Sequence, residues 1–191
     1  MNNTNLALFA SGNGSNVQAI IQAVQNGDIS ANIACIVCDQ PQAYVIERAK
    51  LANIDCFVLS RKGMTRPEWE QQVVAYLQPK QINLVVLAGF MRILGNTMLD
   101  AYPNQIINIH PSLLPAFGGT VDAIGEAYRA GVSQTGVTIH WVDSGVDTGE
   151  IIAQQALAID PNWTQDQLAN EIHKIEHQLY PKTIQQIVSQ R

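Results

Sequence analysis

The sequence predicts a doubly wound α/β fold, a mostly parallel sheet covered on both faces, with an antiparallel part towards the C-terminus. Three observations carry this reading. Short, nearly continuous apolar runs alternate with helical stretches as far as His110, the pattern of parallel strands buried on both sides. Glycine, asparagine and proline stand at the junctions between them, where turns and caps need them. After Pro115 the texture changes to two strands around a Gly-rich turn and then one long helix. No linker, repeat or low-complexity tract interrupts the chain, so a single domain over residues 1–191 is expected.

The elements follow in order. Asn5–Ala10 reads as a first strand, Ser11-Gly12-Asn13-Gly14-Ser15 as a turn, and a helix then runs to about Gln25. Asn26-Gly27 stops that helix, and the β-branched, apolar run Ala31–Cys38 is the second strand. Pro41–Leu51 is expected to be helical and Asp55–Leu59 a short third strand. Arg66–Leu77 is a helix with Pro67 in its first turn, a position that costs no hydrogen bond. Ile82–Ala88 and Gln105–His110 are two more apolar strands, the latter closed by Pro111. Asp122–Ala130 reads as a helix, Thr135–Val142 and Glu150–Ile159 as an antiparallel pair. Gln165–Ser189 is a long helix, interrupted or bent near Pro181.

Composition narrows the function. Hydrophobic residues make up 47% of the chain, which excludes disorder as the main state. Lys plus Arg number 11 against 16 Asp plus Glu, a net charge of −5. No basic cluster occurs, so nucleic-acid binding has no electrostatic footprint. The longest apolar runs, such as Asn83–Phe90, are far shorter than the roughly 20 residues of a membrane helix. Met1–Ser11 carries no basic residue, against an export signal. Three cysteines cannot all pair within one chain, which favours a reducing, cytoplasmic setting. Cys35 and Cys38 form a C-x-x-C, but residues three apart on a strand face opposite ways, so plain buried cysteines are expected.

In doubly wound sheets ligands bind at the carboxyl ends of the strands. Four loops at expected strand ends carry unusual chemistry: Gly12–Asn16, Gly89–Leu94, Asn108–Pro115 and Asp143–Gly149. In the first, Gly12 and Gly14 let the backbone approach an anion, and Ser15 and Asn16 open a helix whose amides and dipole favour it. Val17 stands where a dinucleotide fingerprint needs its third glycine. A single terminal phosphate therefore suits the loop better, although Asp39 keeps a ribose-binding acid in play. In the third loop Asn108 and His110, two apart on a strand, share a face. An amide and an imidazole together offer an oxyanion donor and a group that titrates near pH 7. The fourth loop reads either as a polar hairpin turn or as the source of a carboxylate, Asp143 or Asp147, that reaches across to His110. His173-Lys174-Ile175-Glu176-His177 matches a zinc-peptidase pattern, but no Asp or Glu follows it as a further ligand. A solvated helix face, or a ligand contact through Lys174 or Glu176, is the better reading.

The stretches Ser11-Gly12-Asn13-Gly14-Ser15-Asn16, Leu87–Leu94, Asn108-Ile109-His110-Pro111-Ser112-Leu113-Leu114-Pro115, Val146–Gly149 and Glu176-His177 together resemble the phosphoribosylglycinamide formyltransferases. These are the folate-dependent enzymes of purine synthesis, and the resemblance runs over nearly the whole length. It implies a Rossmann-like formyltransferase fold and formyl transfer from 10-formyltetrahydrofolate, a co-substrate, to the glycinamide ribonucleotide amine, with no metal. It implies that Asn108 and His110 stabilise the oxyanion, and that Asp147 raises the His110 pKa and orients the ring. It further implies that Gly14, Ser15 and Asn16 hold the nucleotide phosphate, with His173, Lys174, Ile175 and Glu176 closing that side. Folate would lie against Met91, Arg92, Ile93, Leu94, Asn108 and the Asp143, Ser144, Gly145, Val146 and Asp147 loop, with Arg66 contacting it from the third helix. The family pattern is broken at Phe117-Gly118-Gly119, where an aromatic residue followed by Pro-Gly is typical, at Thr120–Gly125, and at Glu150, where Pro is common. The rival readings are a formyltetrahydrofolate hydrolase, which uses a similar Asn/His/Asp set on water, and a non-catalytic nucleotide-binding module. Small-molecule partners and a monomer or homodimer are expected.

Overall fold

A computed structural model of the chain describes residues 4–190; the expected 1–191 domain extends past them at each end. Seven strands form one sheet in the order β3-β2-β1-β4-β5-β6-β7. They are β1 (Thr4–Ala10), β2 (Ala31–Cys38), β3 (Cys56–Val58), β4 (Leu84–Leu87), β5 (Ile106–His110), β6 (Gln134–Trp141) and β7 (Ile151–Ala158). The pairings among β1 to β5 are parallel, and β5–β6 and β6–β7 are antiparallel. The expected fold class is therefore found. Helices α1 (Ser15–Gln25), α2 (Val45–Leu51), α3 (Arg66–Leu77), α4 (Asn96–Ala101), α5 (Ala123–Arg129) and α6 (Gln165–Ser189) surround it.

Two apolar layers hold the sheet. On one face α1, α2 and α6 press Val17, Ile20, Val45, Ala49, Leu168 and Ile184 onto Leu6, Leu8, Ile107 and Ile139. On the other, Trp69, Val73 and Leu77 of α3 and Met98 of α4 cover Ala7, Phe9, Val85 and Ile106. Cys38 belongs to the first layer and Cys35 to the second, as strand alternation requires, and both are unpaired. Capping boxes start α3 and α6: Thr65 with Glu68, and Thr164 with Gln167, each satisfying two amides left bare at a helix start.

Departures from the expected elements have local causes. The helix anticipated from Pro41 begins at Val45, because the Val45 amide donates instead to Gly12 O at 3.1 Å in the first loop. Helix α4 spans only six residues, too few to show a helical period. Pro181 removes one amide from the ladder of α6, yet the helix runs unbroken from Gln165 to Ser189. Thr183 Oγ1 donates to Leu179 O within that turn, at 2.8 Å.

Strands β1, β4 and β5 run parallel, so the loops after them open at one edge of the sheet. The fourth loop does not join them by that route. Because β6 is antiparallel, its C-terminal Trp141 lies opposite Ile107, and Val142 N donates to Ile106 O, beside the start of β5. Residues 143–150 then fold back over the face that carries α3 and α4.

Candidate active site

Asn108 and His110 leave β5 on the same face, the one opposite Ile107 and Ile109. The antiparallel register sets His140 of β6 directly across from Asn108, and Thr138 across from His110. Asp147, at φ +55° in the returning loop, brings a carboxylate between the two rings. Its Oδ2 lies 3.4 Å from His110 Nδ1, its Oδ1 3.6 Å from His140 Nε2. Gly119 N donates to the same Oδ2 at 2.9 Å. His110 Nε2 lies 2.8 Å from Phe117 O; a carbonyl only accepts, so this nitrogen carries the proton. Of the two aspartates left open by the sequence, Asp143 serves the turn itself, taking Gly145 N and Thr148 Oγ1 on Oδ1.

Asp147 is held below the ordinary carboxylate range, first by His140, then, against burial, by Gly119 N–H and by His110. Both rings stand close enough to act on it. A second support comes from Thr138. Its hydroxyl donates to Ser112 O at 2.7 Å and accepts from Leu114 N at 3.0 Å and Gln154 Nε2 at 2.8 Å. That network fixes the His-Pro-Ser-Leu-Leu-Pro stretch.

A cleft of about 220 Å³ opens beside these groups. Met91, Arg92, Ile93, Leu94, Asp143, Gly145 and Val146 border it together with Asn108, His110, His140 and Asp147. Met91, Ile93 and Val146 remain substantially exposed, an apolar rim to the cleft. Ser144 and Arg66 are not among the lining residues. Arg66 is the first residue of α3, its side chain against Gly95. Asp39, the possible ribose acid, is buried and takes Arg92 Nε at 2.9 Å.

The first loop abuts this cleft. Ser11 N donates to Gly89 O at 3.0 Å and Met91 N to Ser11 Oγ at 2.9 Å. Gly14 caps α1 at φ +75°, and a Cβ there would come within 2.6 Å of Val45 Cγ2; only glycine fits. Asn16 is buried, its Nδ2 donating to Glu176 Oε2 at 3.1 Å while its Oδ1 has no partner. Burial pushes the Glu176 carboxyl up, only partly offset by the Asn16 bond. Ile175 is buried beside it, whereas His173 and Lys174 face outward, Lys174 paired with Glu171 at 2.6 Å. His173 and His177 stack with ring centroids 6.3 Å apart. Among the described residues no cluster of three or more His, Cys, Asp or Glu forms a metal-binding group.

Sequence reasoning missed His140. Alternation along its strand puts it on one face with Thr138, but nothing in the chain announces that this strand lies antiparallel beside Asn108.

Residues 4–184 match the family model described as formyl transferase. The chain is 48% identical over 183 residues to the phosphoribosylglycinamide formyltransferase of Bacillus subtilis (strain 168), covering 95% of this chain and 93% of the relative. It is 37% identical over 180 residues to that of Haemophilus influenzae, covering 94% and 84%. Glycinamide ribonucleotide transformylase 1 from Geobacillus kaustophilus superposes with a TM-score of 0.94 at 49% identity, covering 97% of this chain and 98% of that one. The phosphoribosylglycinamide formyltransferase structure from Bacillus halodurans gives 0.95 at 47% identity, covering 97% and 96%.

Proposed function

Because the chain belongs to the formyl transferase family, we propose that it transfers the formyl group of 10-formyltetrahydrofolate to the amine of glycinamide ribonucleotide. The products are formylglycinamide ribonucleotide and tetrahydrofolate, in purine biosynthesis. The observation that carries this reading is the convergence of Asn108, His110 and Asp147 on one face of the sheet, in a cleft tied to the Gly14–Asn16 loop.

The amine attacks the formyl carbon, and the carbonyl oxygen becomes an oxyanion. An N–H of Asn108 meets that charge without reorganising as it develops, and the His110 ring joins it once its Nε2–H turns from Phe117 O. The tetrahedral adduct collapses with cleavage of the bond to folate N10. The amine loses one proton and N10 gains one, with His110 as the general acid. Asp147 holds the ring by Nδ1. No metal ion or redox step is needed. The folate lies on the apolar rim of Met91, Ile93 and Val146, between Arg92 and Leu94 and the Asp143–Asp147 loop, with Arg66 reaching its acidic tail. The nucleotide phosphate sits on the bare amides of Gly14, Ser15 and Asn16, and the His173–Glu176 turn closes over the ribose.

The test is a two-substrate assay with and without the nucleotide. Tetrahydrofolate that appears only when glycinamide ribonucleotide is present, with formylated nucleotide in equal amount, supports transfer. Formate released at the same rate without nucleotide would make the protein a hydrolase instead.

A further inference from the structure

We propose that His140 is a positioning residue, whose Nε2 lone pair fixes the Asn108 amide so that the second Nδ2 hydrogen is left for the oxyanion. The proposal rests on the role given to Asn108 above.

His140 is only 2% exposed and lies directly opposite Asn108 in the β5–β6 register. Its Nδ1 stands 2.8 Å from Trp141 O. A carbonyl cannot donate, so Nδ1 carries a proton, and in the neutral ring Nε2 is then an acceptor. Asn108 Nδ2 lies 3.2 Å from that Nε2. One arrangement satisfies all three groups: Nδ1–H to Trp141 O, and Asn108 Nδ2–H to Nε2. The two ends of an asparagine amide have nearly the same shape, so packing alone does not choose between them. The ring does choose. Turned over, Asn108 would set Oδ1 against the Nε2 lone pair and again leave an acceptor where a donor is needed.

A proton on Nε2 reverses this preference. The ring then repels Nδ2 and turns towards Asp147 Oδ1, 3.6 Å away, while the amide gains by presenting Oδ1 to the new N–H. Asn108 loses its orientation, and Asp147 is divided between two rings. The titratable groups that face His140 are Asp147 from the β6–β7 connection and, across that carboxylate, His110 of β5. Asp143 borders the same cleft from the start of that connection.

The experiment measures kcat and KM for both substrates across pH in the wild type, Asn108→Ala, His140→Ala, His140→Gln and the double variant Asn108→Ala/His140→Ala. His140→Ala is expected to lower kcat by about 10- to 100-fold, the scale of a misplaced catalytic group, with both KM values within about 2-fold. His140→Gln supplies an uncharged acceptor, so it recovers most of kcat. The double variant is no slower than Asn108→Ala, because the ring acts through the amide. Full kcat in His140→Ala, or losses that multiply in the double variant, would overturn the proposal. If His140→Ala fails to fold, His140→Gln decides: a kcat within about 10-fold of the wild type upholds it, and a loss as deep as that of Asn108→Ala refutes it. Should Asn108→Ala itself turn over normally, the fault lies in the reading of Asn108, which that single variant exposes separately.

Discussion

In the proposed reaction Asn108, His110 and Asp147 divide the work that one tetrahedral intermediate requires, and each can be removed singly. Loss of one preorganised oxyanion donor costs about 3–4 kcal/mol, so Asn108→Ala should lower kcat by 10²- to 10³-fold with KM little changed, read in the steady state. Asp147 makes a different prediction. Its carboxyl is depressed in the folded chain, chiefly by His140, whereas an unfolded aspartate titrates near 3.9. Its contribution to stability is therefore complete above about pH 4 and disappears as pH falls through the lower native value. Denaturant midpoints taken downwards from about pH 5 should drop less steeply in Asp147→Asn than in the wild type; parallel curves would contradict the ion-pair geometry. The pairing of Asn108 with His110 was legible in the sequence, since residues two apart on a strand share a face. The choice of Asp147 over Asp143 was not legible from the residues alone, because it depends on how a loop folds back. His140 was hidden for the same reason, as its partner sits 32 positions away across a strand pair.

In the proposed function helices α1 and α6 carry the nucleotide side, and their contact sets function against stability. Glu176 is buried with a raised carboxyl pKa, burial being the cause. Its unfolded counterpart is ionised at neutral pH, so the folded state is penalised as pH rises above the unfolded value near 4.3. Glu176→Gln keeps an acceptor for Asn16 without that penalty. The Tm at pH 7 should rise, by roughly 2–4 °C for each kcal/mol gained, while KM for the nucleotide increases. A lower Tm with unchanged KM would remove Glu176 from the site. Tyr180 of the same helix is fully buried, its hydroxyl 2.9 Å from Leu87 O and 3.3 Å from Ile107 O. Tyr180→Phe leaves those carbonyls without this donor and should cost about 1–3 kcal/mol, visible as a reduced denaturation midpoint. The strands Ala31–Cys38 and the helices Arg66–Leu77 and Gln165–Ser189 were read from sequence with their observed bounds, because length, periodicity and caps agree there. Short elements escaped. Six residues at Asn96–Ala101 give no period, and the start of α2 is set by Gly12, some thirty positions upstream.

The whole molecule combines two sheet styles. Parallel strands β1, β4 and β5 deliver the Gly-rich loop, the apolar Met91–Leu94 loop and the Asn108/His110 pair to one edge. The antiparallel β6–β7 hairpin then lays Asp147 over them from the other direction. The sequence announced the first arrangement through continuous apolar runs; the second is a tertiary placement that no local pattern encodes. The proposed function requires separate subsites for nucleotide and folate. Each ligand alone should stabilise the fold, by about 2.7 kcal/mol at a hundred times its Kd, and a thermal-shift titration should find the two effects additive or better. Mutual exclusion would mean that both compete for one cleft. The most direct measurement is nucleotide-dependent formation of tetrahydrofolate by the wild type and by His110→Ala under saturating substrates. The account predicts equimolar formylated nucleotide from the wild type and at least about a 100-fold slower rate in the variant. Equal rates in the two proteins, with both substrates bound, would contradict it.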